Sequence, residues 1–485
     1  MVKTRFAPSP TGYMHIGNLR TALYSYIITK HLGGTFMLRI EDTDQNREVE
    51  GAVDMIYKVI NETGLLYDEG PDKPGDCGPY IQSQRLPIYK EYAHKLVQLG
   101  GAHYCFCQKN EEEENDEENT FGHVDPCRFL SLEEAAKRVE AGEPYVIRQT
   151  VPTEGVTGFD DEVYGHIDAE NASLDEGVLL KSDGYPTYNF ANVVDDHLMG
   201  ITHVIRGNEY LSSTPKYNLM YKAFGWEPPV YIHCPPVMKD ETHKLSKRNG
   251  DASYQDLVAK GYLKEAILNY IALLGWSPEG EEEIFSLQDL VEKFSVDRIQ
   301  KSGAIFDINK LRWMNSVYLR AMSPEEYHEL LKPYYAELIT RPVDHLEVLS
   351  KAIQPRLEIL SELNTFVDFI NEPLPFDAEL YKHKKMKTNP YNSLDALKWM
   401  IPAIEAFDHF EDQDAFVDIF VKTAKEHEVK NGRVMYPCTV ALSNKKSTPG
   451  GITEIALVLG KEETLRRLHQ AVTDLEAYVA ANPQA

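Results

Sequence analysis

Residues 4–23 read TRFAPSPTGYMHIGNLRTAL, with two prolines and two glycines caught between a β-like run and a helical one. Proline has no N–H to give a sheet ladder, so the strand TRFAP must end at Pro8. Ile16, Leu19, Leu23, Tyr26 and Ile27 then repeat at helical spacing, which starts a helix near His15. The chain therefore opens on a strand, a rigid turn, and a helix whose first N–H groups face whatever the turn encloses. A second strand, TFMLRIED, closes on Glu41 and Asp42, and helix patterns return at Val53 to Ile60 and Leu86 to Leu99. Strand–helix alternation of this kind predicts an α/β fold with a parallel sheet and crossover helices. Ligands of such sheets sit beyond the carboxyl ends of the strands, where APSPTG and EDTD both fall.

From about Gly100 to Tyr188 the rhythm breaks into short β-like pieces such as PYVIRQTV, with one acidic run, EEEENDEEN, read as a solvated loop. ITHVIRGNEYL and VYIHCPPVM resume the strands, with STPKYNLMYKAFGW as the helix between them, so the middle segment reads as an α+β insertion. After KLSKRNGD the apolar residues fall at three- and four-residue steps almost to the end. The helical segments are YLKEAILNYIALLGW, SLQDLVEKF, DINKLRWMN, HLEVLSKAIQPRLEILSEL, SLDALKWMIPAIEAF and KEETLRRLHQAVTDLEAYV. A chain of 485 residues accommodates several domains of roughly 150 residues. The expected division is a sheet domain in two halves, 1–100 and 189–250, an insertion at 101–188, and helical domains at 251–320 and 321–485.

A net charge of −26 argues against nucleic-acid binding driven by global charge, yet leaves room for a local basic groove. Six cysteines in so long a chain do not make a disulfide framework, and no apolar run approaches the roughly 20 residues of a bilayer span. The amino terminus lacks a basic-then-apolar leader, so the expected location is the cytoplasm, with no membrane partner.

Two stretches can carry chemistry. In the first, Pro8 and Pro10 stiffen the turn, Gly12 and Gly17 allow close approach by a ligand, and His15 and Asn18 can donate to phosphate oxygens at the helix start. Alone, this reads first as a well-capped helix with a surface histidine. In the second, KLSKRNG at 244–250, two lysines and an arginine surround a serine on a loop, able to stabilise charge that develops on a polyphosphate. Alone, it is equally a basic surface loop. Their placement at the two ends of one interrupted sheet favours a common phosphate site.

FAPSPTGYMHIGN, LRIEDTD, YPTYNFANVVDDH, HVIRGNEYLSSTPKYNLMYKAFGW and HKLSKRNG resemble, in order, the bacterial-type glutamyl-tRNA synthetases of class I. The resemblance continues through NKLRWMN, PCTVALSNKKSTPG and LGKEETLRRL, nearly the whole chain. Departures from the HIGH and KMSKS signatures fall at Asn18, Leu245 and Arg248, and Asn18 keeps a donor amide. The resemblance implies a Rossmann-like catalytic sheet interrupted by an acceptor-end-binding insertion, a helical stem-contact domain, and an all-helical anticodon-binding half. It implies that glutamate attacks the α-phosphate of ATP, with Mg²⁺ on the phosphates, and that the acyl group then passes to tRNA(Glu). On the family pattern His15 and Lys247 are catalytic. Gly17, Asn18, Glu209, Tyr210 and Lys244 join them in binding ATP. Arg5, Ala7, Ser9, Glu41, Tyr188, Asn192 and Arg206 bind glutamate, with Arg5 and Arg206 suited to carboxylates through the guanidinium fork.

Cys105, Cys107, His123 and Cys127 have spacing suited to a structural zinc, and the resemblance places such a site in the insertion of some family members. Lys382, Lys384, Lys385 and Lys387, with Lys445 and Lys446, are candidate contacts of the helical half with tRNA. A glutamyl-queuosine tRNA synthetase would share the catalytic half but lack the helical tail. A non-catalytic tRNA-binding paralogue would be expected to lose His15 and Lys247, which this chain keeps. The family expectation is a monomer, and mischarging of tRNA(Gln) is a variant of the same activity.

Overall fold

In the computed structural model, which describes residues 1–44, 49–107, 125–245 and 253–483, the opening strand is β1 (Lys3–Phe6), with Thr4, Arg5 and Phe6 buried. The predicted helix follows as α1 (Ile16–His31), and β2 (Thr35–Leu38) returns parallel to β1 with Lys3 opposite Thr35 and Phe6 opposite Leu38. Ile16, Leu19, Leu23 and Ile27 are fully buried on α1, as their spacing requires. The same face carries Arg20, buried to 3%. Its guanidinium donates to the carbonyls of Pro235 and Leu274. The helix that starts at the turn is thereby fixed to chain more than 200 residues away.

Two further helices, α2 (Ala52–Thr63) and α3 (Leu86–Gln98), lead into the middle segment. Its elements are β3 (Ala102–Cys105), α4 (Leu132–Glu140), β4 (Val146–Gln149), β5 (Val156–Asp161), β6 (Gly165–Glu170) and β7 (Val178–Leu180). β3, β4 and β7 form one antiparallel sheet, and β5 and β6 a hairpin. Then come α5 (Tyr188–Leu198), β8 (His203–Gly207), α6 (Thr214–Phe224) and β9 (Val230–Cys234), with β8 and β9 parallel. β8 starts beside β1, where Thr202 N donates to Lys3 O at 2.9 Å. β5 adds to the other side of β9, Asp161 opposite Tyr231, so part of the middle segment extends the main sheet. Tyr89 and Leu96 of α3, Phe190 and Val194 of α5 and Tyr217 of α6 pack with Ile147 and Leu180 into one buried cluster. Each large side chain so buried contributes about 1.5–3 kcal/mol.

Residues 1–258 and 264–308 make one compact unit, completed by α7 (Tyr254–Ala259), α8 (Lys264–Ala272) and α9 (Leu287–Lys293). Residues 259–263 and 309–485 make a second, helical unit. It contains α10 (Ile308–Ala321), α11 (Pro324–Leu338), α12 (Leu346–Ile353), α13 (Leu363–Asn371), α14 (Pro390–Glu405), α15 (Gln413–Glu426), α16 (Asn431–Ser443), α17 (Ile452–Leu459) and α18 (Lys461–Ala481). The run HLEVLSKAIQPRLEILSEL is not one helix: α12 stops at Ile353, just before Pro355, which has no N–H for the helical ladder, and α13 starts ten residues later. Among the described residues, no helix is long and apolar enough to cross a membrane.

Arg467 ties the helical unit together. Its buried guanidinium donates to the carbonyls of Phe369, Ile370 and Leu442, and to Glu463 at 2.6 Å. Glu463 also receives Arg341 and Arg466. Burial opposes its charge, but these three guanidiniums prevail and hold its carboxyl far below the usual range. Replacing Arg467 by alanine strands three carbonyls and removes one of the three guanidiniums on Glu463, and is expected to cost about 3–5 kcal/mol in urea unfolding. Replacing the half-exposed Arg466 should cost only about 0–1 kcal/mol. Equal losses for the two would contradict this account.

Candidate active site

A cavity of about 590 Å³ is lined by the residues that follow β1, β2, β8 and β9, with the first turn of α1. This is the position expected for a ligand of a parallel sheet. The turn before α1 uses Gly12 with φ of +105°, a conformation strained for any other residue. His15 caps α1, its Nδ1 accepting from Gly17 N at 3.0 Å. An accepting Nδ1 leaves the proton on Nε2, so the neutral ring keeps a donor at the helix N-terminus. Ser253 pairs with His15 across an antiparallel bridge, and Lys244 pairs with Met238. The residues on either side of 246–252 are thus tied to the cavity and to α1. Lys247 itself lies outside the described residues.

Beneath the cavity lies a buried cluster of three guanidiniums and three carboxylates. Arg39, fully buried, donates Nη2 to Glu41 Oε1 at 2.9 Å and Nη1 to Asp196 Oδ1 at 2.8 Å. Arg5 donates Nε to the same Asp196 oxygen at 3.0 Å and Nη1 to the carbonyl of Ile205. Arg85 donates to Asp195 at 2.8 Å, and Tyr89 and Gln82 complete that carboxylate. Burial works against the charge of Asp196, but Arg5 and Arg39 outweigh it and hold its carboxyl below the ordinary value. For Glu41 burial prevails over Arg39 and Arg5, and the carboxyl is pushed up. Arg39 engages only Oε1 of Glu41, which leaves Oε2 as an acceptor for an ammonium in the cavity that Glu41 lines.

Arg206 is different. It is buried to 5% and lines the cavity, yet among the described residues no carboxylate pairs with it. Its hydrogen-bond partners are neutral: Nε donates to His233 Nε2 at 3.0 Å and Nη2 to Thr214 Oγ1 at 2.7 Å. The guanidinium carbon lies 4.8 to 5.5 Å from the ring centres of Tyr210, Tyr217 and Tyr231. Cation–π attraction helps hold the charge, but a buried guanidinium without a counter-ion is suited to an anionic ligand. A Cβ at Gly207, next in sequence, would meet the carboxylate of Glu209 and displace it.

A second constellation lies at the end of β3. Single ligand atoms of Cys105, Cys107, Asp125 and Cys127 all fall within 4.8 Å of one another. The Cys107 and Cys127 sulfurs are 3.7 Å apart. A tetrahedron with metal–sulfur bonds of about 2.3 Å has an edge of about 3.8 Å, so this spacing fits zinc. Burial, then the neighbouring thiols, pushes Cys107 up to about 12; a bound cation would favour its thiolate instead. His123 lies outside the described residues, and Asp125, absent from the sequence expectation, supplies the fourth donor atom.

Residues 1–313 match the family described as tRNA synthetases class I (E and Q), catalytic domain, and residues 326–472 match an anticodon binding domain. A glutamate–tRNA ligase of Clostridium botulinum (strain Hall) is 56% identical over 481 residues, covering 98% of this chain and 99% of the relative. That of Clostridium acetobutylicum is 56% identical over 480 residues, with the same coverage. The chain belongs to the glutamate–tRNA ligase family. A solved glutamate tRNA ligase from Elizabethkingia meningosepticum, in complex with its amino acid, superposes with a TM-score of 0.87 at 33% identity, covering 98% of this chain and 99% of that one. A glutamate–tRNA synthetase from Elizabethkingia anophelis does so with 0.87 at 32%, covering 97% and 99%.

Of the residues expected from the glutamate–tRNA ligase resemblance, Arg5, Ala7, Ser9, Glu41, Tyr188 and Arg206 line the cavity. So do His15, Gly17, Asn18, Glu209, Tyr210 and Lys244. Asn192 does not: it is buried in α5 and its amide donates to Tyr188 O at 3.1 Å. Among the candidate tRNA lysines, Lys382 is paired with Glu379 and Lys445 with Asp368. Arg39, Asp195 and Asp196 were present in the quoted motifs LRIEDTD and VVDDH but received no role, because nothing local shows that they meet. Replacing Asp196 by asparagine leaves Arg5 and Arg39 under-compensated and is expected to cost about 3–5 kcal/mol at pH 7. A carboxyl held below its ordinary value gives stability that is present above about pH 4 and lost as the pH falls further. The gap between wild type and variant in urea unfolding should therefore narrow below about pH 4, and a constant gap would contradict the ion-pair assignment.

Proposed function

We propose that the cavity of the amino-terminal unit forms glutamyl-adenylate from L-glutamate and ATP and transfers the acyl group to tRNA(Glu), releasing AMP and diphosphate. The observation that carries this is Arg206, a buried guanidinium facing a ligand cavity without a carboxylate among the described residues. A dicarboxylic amino acid supplies the missing anion, and its ammonium would meet the carboxylate oxygen of Glu41 that Arg39 does not engage. In this reading Arg206 holds one carboxylate, Arg5 offers the hydrogens that Asp196 and Ile205 leave, and Ser9, Tyr188 and the backbone at Ala7 orient the rest. Burial keeps the Tyr188 phenol neutral, and hence a donor. Asn192 acts from behind, through its bond to Tyr188.

Adenylate formation joins the α-carboxylate oxygen to the α-phosphorus and expels diphosphate, a step that needs alignment and charge stabilisation more than a protein nucleophile. His15 Nε2–H and the start of α1 would donate to phosphate oxygens, with Lys247 and Lys244 meeting the charge of the leaving diphosphate. Glu209, Tyr210, Gly17 and Asn18 would hold the rest of the nucleotide. Mg²⁺ brought in on the phosphates would lower their charge, bound largely by nucleotide oxygens and water. Residues 101–188 are proposed to hold the acceptor end, 251–320 the stem, and 321–485 the anticodon. Cys105, Cys107 and Cys127, with Asp125 or His123, would hold a structural zinc that braces this insertion. The enzyme is proposed to act as a cytoplasmic monomer.

Glutamate-dependent pyrophosphate exchange, with and without tRNA, tests the reaction, and no exchange under either condition would sink it. His15→Ala should slow exchange about 100- to 1000-fold while changing glutamate affinity less than about threefold; equal losses would misplace His15. Aminoacylation of purified tRNA(Glu) and tRNA(Gln) reads whether the second is charged as well. Metal analysis should find close to one zinc per chain, falling to background in Cys105→Ser; far less than one in the native protein would remove the zinc.

A further inference from the structure

We propose that His233 and Asp161 are positioning residues for Arg206, and that the tautomer of His233 set by Asp161 fixes the guanidinium for the substrate carboxylate. The inference rests on the reading of Arg206 as a carboxylate ligand given above.

Arg206 can donate from Nε only to an acceptor, and the atom it meets is His233 Nε2 at 3.0 Å. That nitrogen accepts only if the ring proton is on Nδ1. Asp161 enforces this arrangement: its Oδ2 receives His233 Nδ1 at 2.6 Å and the backbone N of His233 at 3.1 Å. Its Oδ1 receives the backbone N–H groups of Val163 and Tyr164 at 3.0 and 2.8 Å. Both oxygens are thus occupied as acceptors, and the carboxylate cannot turn without breaking the hairpin turn between β5 and β6. Nε of Arg206 and one hydrogen of Nη2 are taken by His233 and Thr214, which orients the fork. Nη1 is left for the cavity that Arg206 lines.

A second proton on His233 would occupy Nε2 and turn an acceptor into a donor aimed at another donor. The charged and titratable groups facing the ring are Asp161 from β5, Arg206 from β8, Glu209 just after β8 and Tyr231 from β9. The Phe159 ring and the Thr214 hydroxyl complete the surroundings. Burial, with Arg206, outweighs Asp161 and keeps His233 below the ordinary histidine value, and hence neutral at physiological pH. Nothing in the local sequence of VYIHC signals this role, and Asp161 comes from the segment read as an insertion.

The test is glutamate-dependent pyrophosphate exchange with tRNA(Glu) present, from pH 5.5 to 8.5, on folded wild type, His233→Leu, His233→Gln, Asp161→Asn and Arg206→Ala. Loss of the acceptor in His233→Leu should raise the KM for glutamate about 10- to 100-fold and leave the KM for ATP within about twofold. The side-chain oxygen of His233→Gln can accept from Arg206 Nε and should restore the glutamate KM to within about fivefold of wild type. Asp161→Asn must place an amide NH₂ on one of the occupied sites, and should raise the glutamate KM about tenfold even if His233→Leu does not fold. Because burial holds His233 below the ordinary histidine value, the wild-type glutamate KM should stay flat down to about pH 6.5 and rise only at lower pH, and His233→Gln should lack that rise. The relay is overturned by a folded His233→Leu or Asp161→Asn enzyme with wild-type glutamate KM, by failure of glutamine to rescue, or by an acid limb that persists in His233→Gln. If Arg206→Ala abolishes glutamate saturation while the His233 variants saturate normally, the relay alone falls. An Arg206→Ala enzyme with unchanged glutamate KM would remove the reading of the cavity and the relay with it.

Discussion

Arg39 is the charge on which the amino-terminal site depends. It has no solvent to stabilise it and three acidic neighbours within 4.0 Å, Glu41, Asp195 and Asp196. Asp196 is shared with Arg5 and Asp195 with Arg85, so β1, the segment after β2, the residue before α3 and the helix α5 meet in a cluster with no net charge. Burying any one of these ions alone would cost several kcal/mol, and together they are tolerable only in close to the observed geometry. The cluster thereby sets where Glu41 and Arg5 stand beneath the cavity. Its stability derives from mutual neutralisation rather than from any single bond.

Arg206 lies outside that balance, and the contrast explains the cavity's preference. Arg5 and Arg39 are each satisfied by a carboxylate of the protein, whereas Arg206 is held by a histidine, a hydroxyl and three aromatic faces. Neutral partners orient a guanidinium without cancelling its charge. On the other side of the cavity the start of α1 and His15 present N–H donors, while Arg20 anchors the helix from its buried face. A rigid turn therefore separates two regions of positive potential, one suited to a carboxylate and one to phosphates.

Most of the secondary structure was legible in the sequence because it follows from local rules. Pro8 ends β1, apolar spacing marks α1, and the three- and four-residue steps of the tail become the helices of the second unit. The break between α12 and α13 carries its own signal in Pro355, which the periodicity alone overrode. Cavity residues were found through motifs that group them in short stretches, such as FAPSPTGYMHIGN and VIRGNEY. Asn192 shares such a stretch and, four residues on, the face of α5 that carries Tyr188, but it is buried one turn beyond the lining, a depth that the motif does not convey. Asp125 was passed over because a carboxylate beside cysteines is unremarkable until folding brings its oxygen among the sulfurs.

By itself, the sequence determined the alternation that makes a parallel sheet, the rigid turn into α1, the helical tail, and the set of residue types able to meet glutamate and ATP. These depend on periodicity and on the backbone limits of proline and glycine, which act over a few residues. Only the tertiary structure decided which charges neutralise one another and which remain available. Arg5 and Asp196 are 191 residues apart, and Asp161 and His233 are 72. The second meeting is set by strand order, with β5 beside β9, and the first by α5, which leads into β8 beside β1. Coulomb and hydrogen-bond energies act over a few ångströms, so their outcome exists only once the sheet has brought those strands together.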